Sequence, residues 1–139
     1  MPKHPANLDE LYGLLVQGRV KFAPKPVYIA EADCVIYHHK NVAMKGAWLD
    51  RFVTLFRDRQ TGQIVGFKVK CVREVVDSLL SRKRGRKPRR VRFADVIDEA
   101  ARLSAEDRDN ENLQRTREES RKSDVAAVEI PRDAYAKAA

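Results

Sequence analysis

Few of the usual marks of a secreted, membrane or enzymatic protein occur in this chain. Across 139 residues there are two cysteines, Cys34 and Cys71, too few for a disulfide framework. Their scarcity points to a reducing cytoplasm. No apolar run approaches the ~18–20 residues of a membrane span, so no membrane partner is expected. Residues Met1 to Asn7 lack the apolar stretch of a secretory signal. Walker A, His-Glu-x-x-His and Gly-x-Ser-x-Gly are all missing. Aromatics make up only 7% of the chain, and beyond residue 70 there are just Phe93 and Tyr135. Because aromatics dominate core burial, the expected folded unit is a domain over residues 7–80.

The remaining chemistry-bearing groups do not form a convincing active site. Cys34 and His38 would share one face of a strand while His39 points away, and Cys71 or Asp33 could add a ligand. That spacing matches no zinc module, so a buried cysteine and exposed histidines are expected instead, with no metal and no cofactor. Carboxylates Glu31, Asp33, Asp50 and Asp58 could hold Mg²⁺ in a small nuclease. The Asp/Glu-x-Lys that would position the attacking water is absent from the strand region. A metal-independent ribonuclease using His38 or His39 stays as a third-ranked reading, since one histidine suffices for acid–base work. No catalytic residue is assigned, and the balance leans away from an enzyme.

What the chain does have is charge, in one place. The formal net charge is +8, from 28 Lys+Arg against 20 Asp+Glu. Residues 1–80 carry a net +4, residues 81–92 a net +8 and residues 93–139 a net −4. Twelve residues, SRKRGRKPRRVR, thus account for the whole imbalance. Such a cluster attracts nucleic-acid phosphates through counterion release, independent of sequence. Eight engaged charges would give a log K against log[salt] slope of about −7 on duplex DNA.

Periodicity organises the rest. Asn7 and Glu10 fit a capping box, and Leu8, Leu11, Tyr12 and Leu15 follow helical spacing, predicting a helix at 8–17. Val27 to His38 reads as one strand interrupted by Glu31-Ala32-Asp33. Leu49 to Arg57 and Gln63 to Val72 read as a hairpin around Asp58 to Gly62. Strict alternation in the last strand puts Val65, Phe67, Val69 and Cys71 on one face. Helices are predicted at 73–82 and 92–103. Ser104 is the expected N-cap of a segment, 105–122, that is polar all round except for Leu113; such a helix needs a partner or frays. The expectation is therefore an α+β fold: an antiparallel sheet of about three strands with flanking helices, a basic segment at 81–92, and a charged helical or partly disordered extension at 93–139.

Two resemblances can be drawn. Tyr28, Glu31-Ala32-Asp33, Asp58, Gly62 and Ile64-Val65-Gly66-Phe67 resemble the pattern of a family of small uncharacterised bacterial domains, over residues 27–72. That similarity implies a sheet domain of bacterial or phage origin and no particular activity. Arg84-Gly85-Arg86 with Pro88 is similar to the AT-hook core and to the Arg-Gly-Arg loop of bacterial histone-like nucleoid-structuring proteins. Lys87, between Arg86 and Pro88, departs from the AT-hook core. The resemblance implies that Arg84 and Arg86 enter an A·T-rich minor groove, where Gly85 lets the backbone lie deep. Lys83, Lys87, Arg89 and Arg90 would contact phosphate, with Arg82 and Arg92 flanking them. Trp48, Tyr37, Lys68 and Lys70 offer an extension of that surface onto the sheet, with Trp48 itself expected in the core or at a sheet edge. The expected partner is thus nucleic acid, DNA ahead of RNA. The alternative is an antitoxin-like or assembly accessory protein whose extension, through 93–122, folds on a protein partner; self-association is a further option.

Overall fold

The computed structural model describes residues 24–82, 91–104 and 110–135. The helix expected at 8–17 lies outside them, as do Lys83 to Arg90 and the first residues after Ser104. Among the described residues, five strands form one antiparallel sheet: β1 (Val27–Ile29), β2 (Cys34–His38), β3 (Met44–Trp48), β4 (Val53–Asp58) and β5 (Ile64–Lys70), in the order β1-β2-β5-β4-β3. Three α-helices accompany it: α1 (Val72–Arg82), α2 (Phe93–Leu103) and α3 (Glu111–Lys122). The class is α+β, as expected, but the sheet has five strands rather than three.

Both extra strands have a physical origin. The acidic interruption is a turn: Asp33 takes the left-handed conformation at φ 46°, its backbone N–H bonds the Ala30 carbonyl, and the chain doubles back. Val27 then faces Ile36 and Ile29 faces Cys34 across an antiparallel pair. The Tyr28 hydroxyl donates to Asp33 Oδ1 at 3.0 Å and ties the turn to its strand. Strand β3, Met-Lys-Gly-Ala-Trp, contains no β-branched residue. It is held by tertiary pairing with β4, Gly46 facing Phe56 and Trp48 facing Thr54, which local propensity cannot report.

The predicted hairpin forms, with Leu55 opposite Phe67 and Val53 opposite Val69. Gly62 takes φ 74° and donates to the Asp58 carbonyl at 2.8 Å, so the turn is closed by the residue best able to adopt positive φ. Alternation fails at two points. A register shift between Phe56 and Arg57 brings Ile64, not Val65, into the main core. Cys71, at φ 53°, turns the chain from β5 into α1 and is exposed instead of continuing the Val69 face.

One face of the sheet carries Val35, Tyr37, Val53, Leu55, Phe67 and Val69 into the main core. Val72, Val75, Val76 and Leu79 of α1 meet it at helical spacing, as do Phe93, Val96, Ile97 and Ala100 of α2. Phe67 and Phe93 stack with centroids 3.7 Å apart. Val125, Ile130 and Ala134 belong to the same cluster, so the core does not stop at residue 80. A smaller cluster, Ile29, Cys34, Ile36 and Phe56, occupies the second face.

The polar helix starts later than expected. Asn110 is its N-cap, accepting from the N–H groups of Asn112 and Leu113, while Ser104 closes α2. Its partner is the body of the chain. Arg57 makes two hydrogen bonds to Glu119, both at 2.8 Å. Arg121 bonds Asp98 of α2 at 2.6 Å. Arg117 is buried beside Asp50, its guanidinium 3.7 Å from the carboxylate.

Candidate nucleic-acid interface

The basic segment is bracketed by two helices packed against each other. At its start, Arg82 is the last residue of α1, where a cation also complements the helix dipole. Its Nε donates to Glu99 Oε2 at 3.0 Å. Glu99 is fully buried and is shared with Arg102, whose Nε donates to Oε1 at 2.8 Å. Arg102 in turn reaches Ser78 of α1 at 2.9 Å. The buried carboxylate thus has a guanidinium on each side and joins α1 to α2. Burying an acid is tolerable only with such partners.

At the other end, Val91 is buried in the main core. The Phe93 N–H bonds the Val128 carbonyl and the Ile130 N–H bonds the Val91 carbonyl, both at 2.8 Å. Arg92 lies between these bonds, bridged to Glu129, and is exposed. Of the expected contact residues, Arg92 is exposed, and Arg82 is exposed too, with its guanidinium held at the buried Glu99 carboxylate. Lys83, Arg84, Gly85, Arg86, Lys87, Arg89 and Arg90 lie outside the described residues.

On the sheet, the residues considered for an extended surface separate. Tyr37 is 4% exposed in the core, where it lies against Phe67 and shares a 2.8 Å hydrogen bond with His39 Nδ1. Trp48 is 60% exposed on the edge strand. Lys68 and Lys70 lie on the second face, opposite Ile36 and Cys34.

The groups weighed for catalysis are dispersed into structural tasks. Asp50 Oδ1 accepts from the N–H groups of Phe52 and Val53, both at 2.8 Å, and pins the β3–β4 connection. Burial pushes its carboxyl up, against those N–H groups and Arg117. Asp58 Oδ1 accepts from the Gln60 N–H in the hairpin turn. Cys34 is buried, and burial raises its thiol. His38 meets the Phe56 ring edge-on at 5.0 Å, and burial lowers its imidazole. Among the described residues, no group of three or more His, Cys, Asp or Glu side chains is placed to hold a metal ion. No helix among them is long and apolar enough to cross a membrane.

Sequence reasoning missed Glu99 as the anchor of the basic segment. The available signal was an acid three residues after Val96 on an otherwise apolar helix face, with Arg102 three residues further on. Comparisons with protein-family models, with curated proteins and with solved structures returned no match.

Proposed function

We propose that this protein binds nucleic acid, DNA ahead of RNA, through residues 82–92 and without catalysing a reaction. The observation that carries the reading is the concentration of eight basic side chains within residues 81–92, with no acidic one among them. Anchorage of both flanks supports it. Arg82 is tied to Glu99 and Val91 is seated in the core. Fixed ends reduce the ordering cost that a free basic tail would meet on binding. Arg84 and Arg86 are the residues suited to an A·T-rich minor groove, with Gly85 between them. Lys83, Lys87, Arg89, Arg90 and Arg92 are suited to phosphate. A cytoplasmic setting suits a chain whose two cysteines are both free.

With Arg82 engaged by Glu99, contact by the other seven basic side chains of the segment would give a salt slope of about −6 rather than −7. The test is titration of A·T-rich duplex, G·C-rich duplex and single-stranded RNA at two salt concentrations. The R84Q/R86Q variant is expected to lose A·T preference and much of its affinity. No duplex binding at low salt, or an unchanged variant, would sink the reading. A uniform loss without any A·T preference would keep phosphate contact and reject groove insertion.

A further inference from the structure

Trp48 is the only tryptophan of the chain, and at 60% exposure it is the least covered large apolar side chain among the described residues. It ends the edge strand β3, and the preceding residue on the same face is Gly46, so its own strand gives the indole no cover. Across the sheet, Trp48 faces Thr54 and Thr54 faces Lys68. An indole, a hydroxyl and an ammonium group therefore stand on three successive strands of one face, spaced ~4.8 Å apart. Lys70 follows Lys68 on the same face. No described carboxylate lies within ion-pair distance of either lysine. Burial and the Lys70 charge both push the Lys68 ammonium down, a strain that a bound anion would relieve.

We propose that Trp48, Thr54, Lys68 and Lys70 form a second nucleic-acid contact, in which an unpaired base stacks on the indole and its phosphate rests on the two lysines. This rests on the nucleic-acid reading above and adds a substrate class to it: single strand on the sheet beside duplex at the basic segment. Stacking on an exposed ring next to a basic strip is how single strands are held without sequence preference. The competing occupant is a protein strand added to the β3 edge. Exposed Lys45 on that edge opposes strand addition, and the paired lysines favour a polyanion.

Trp48 is its own probe. The full chain is titrated with fluorescein-labelled oligothymidylate, reading anisotropy and, with unlabelled strand, Trp48 emission. Saturable, salt-sensitive quenching is expected. K68Q/K70Q and, by anisotropy, W48A should each weaken single-strand binding about tenfold or more. R84Q/R86Q should lose duplex affinity yet retain the quench. Circular dichroism melts confirm that the variants fold. Oligothymidylate binding with unchanged Trp48 emission, or duplex binding without single-strand binding, overturns this contact and leaves the basic segment standing. Loss of both kinds of binding removes both readings. Emission that shifts on dilution without nucleic acid, together with a dimer in sedimentation that W48A abolishes, assigns the face to a second copy and also overturns the proposal.

Discussion

Helices α2 and α3 are 11 and 12 residues long and are joined by the Arg121–Asp98 pair, yet they are held to the body by opposite chemistry. Helix α2 buries Phe93, Val96, Ile97 and Ala100 in the main core. Helix α3 buries Arg117 and Ser120, and its one large apolar residue, Leu113, is only partly covered. For α2 the driving force is removal of apolar surface from water, which is non-directional and tolerant of small shifts. Docking of α3 depends on charges that must meet particular partners on β4, on α2 and before Val53. An amphipathic helix can find its site by shape and area; a polar one needs its counter-charges placed first.

The largest test of this contrast is Phe93→Ala. The ring is fully buried and stacks on Phe67 at 3.7 Å, so its removal takes away both area and a matched surface. A loss of about 3–5 kcal/mol is expected in urea denaturation. Because Phe93 also starts α2 directly after the basic segment, nucleic-acid affinity should fall with it. A cost below about 1 kcal/mol would show that α2 is not held by its apolar face.

Next is Arg117→Ala, which leaves Asp50 buried without a counter-charge. A loss of about 2–4 kcal/mol is expected, most of it the penalty on the stranded carboxylate. The pair is 3.7 Å apart, and neither Asp50 Oδ2 nor Arg117 Nη2 has a hydrogen-bond partner, so its direct contribution is modest. The double variant D50N/R117M should therefore cost clearly less than R117A alone. Asparagine retains an Oδ1 that can accept from Phe52 and Val53. The pH dependence has a definite sign. Burial holds the Asp50 carboxyl above its ordinary range. An acid raised on folding takes up a proton as the chain folds, so its contribution to stability declines as pH rises through that interval. Removing Arg117 widens the interval. The R117A deficit should accordingly be smaller near about pH 4 than near about pH 7.

The same contrast separates what the sequence discloses from what it does not. Helices α1 and α2 were legible because Val72 to Leu79 and Phe93 to Ala100 repeat apolar residues at helical spacing, and the β4–β5 hairpin because Val53 and Leu55, then Phe67 and Val69, alternate on either side of a glycine turn. Strand β3 was not, because Gly46 and Ala47 carry no strand signal and the pairing with Phe56 and Leu55 supplies the order. Helix α3 reads as a polar segment that needs a partner or frays, and its charges meet the body of the same chain. Its partners Asp50, Arg57 and Asp98 lie far away in sequence, and charge pairs carry no period that would point to them. For the candidate site, the basic segment was plain from charge alone. The Glu99 anchor and the exposure of Trp48 depend on how α1 meets α2 and on which strand forms the sheet edge.

The smallest effect belongs to Arg57 and Glu119, and it distinguishes exposed from buried charge on the same helix. Two hydrogen bonds at 2.8 Å join them, with side chains 27% and 53% exposed. Arg57 Nη1 also donates to the Gly62 carbonyl at 2.9 Å, so the guanidinium is held on the hairpin as well as by α3. The Arg57 hydrogen bond holds the Glu119 carboxyl below its ordinary range, against partial burial. An acid lowered on folding contributes stability above its unfolded pKa and loses it as pH falls through the folded value. Glu119→Gln should therefore cost less than about 1 kcal/mol at neutral pH and nothing in strong acid. Both this deficit and that of R117A shrink with acid, so pH alone does not separate them. Salt does: raising ionic strength screens the exposed pair and should diminish the E119Q deficit, while the Arg117–Asp50 deficit, set by buried groups, stays. Equal salt sensitivity in the two variants would mean that α3 is held entirely at its surface, and the distinction between its buried and exposed charges would fall.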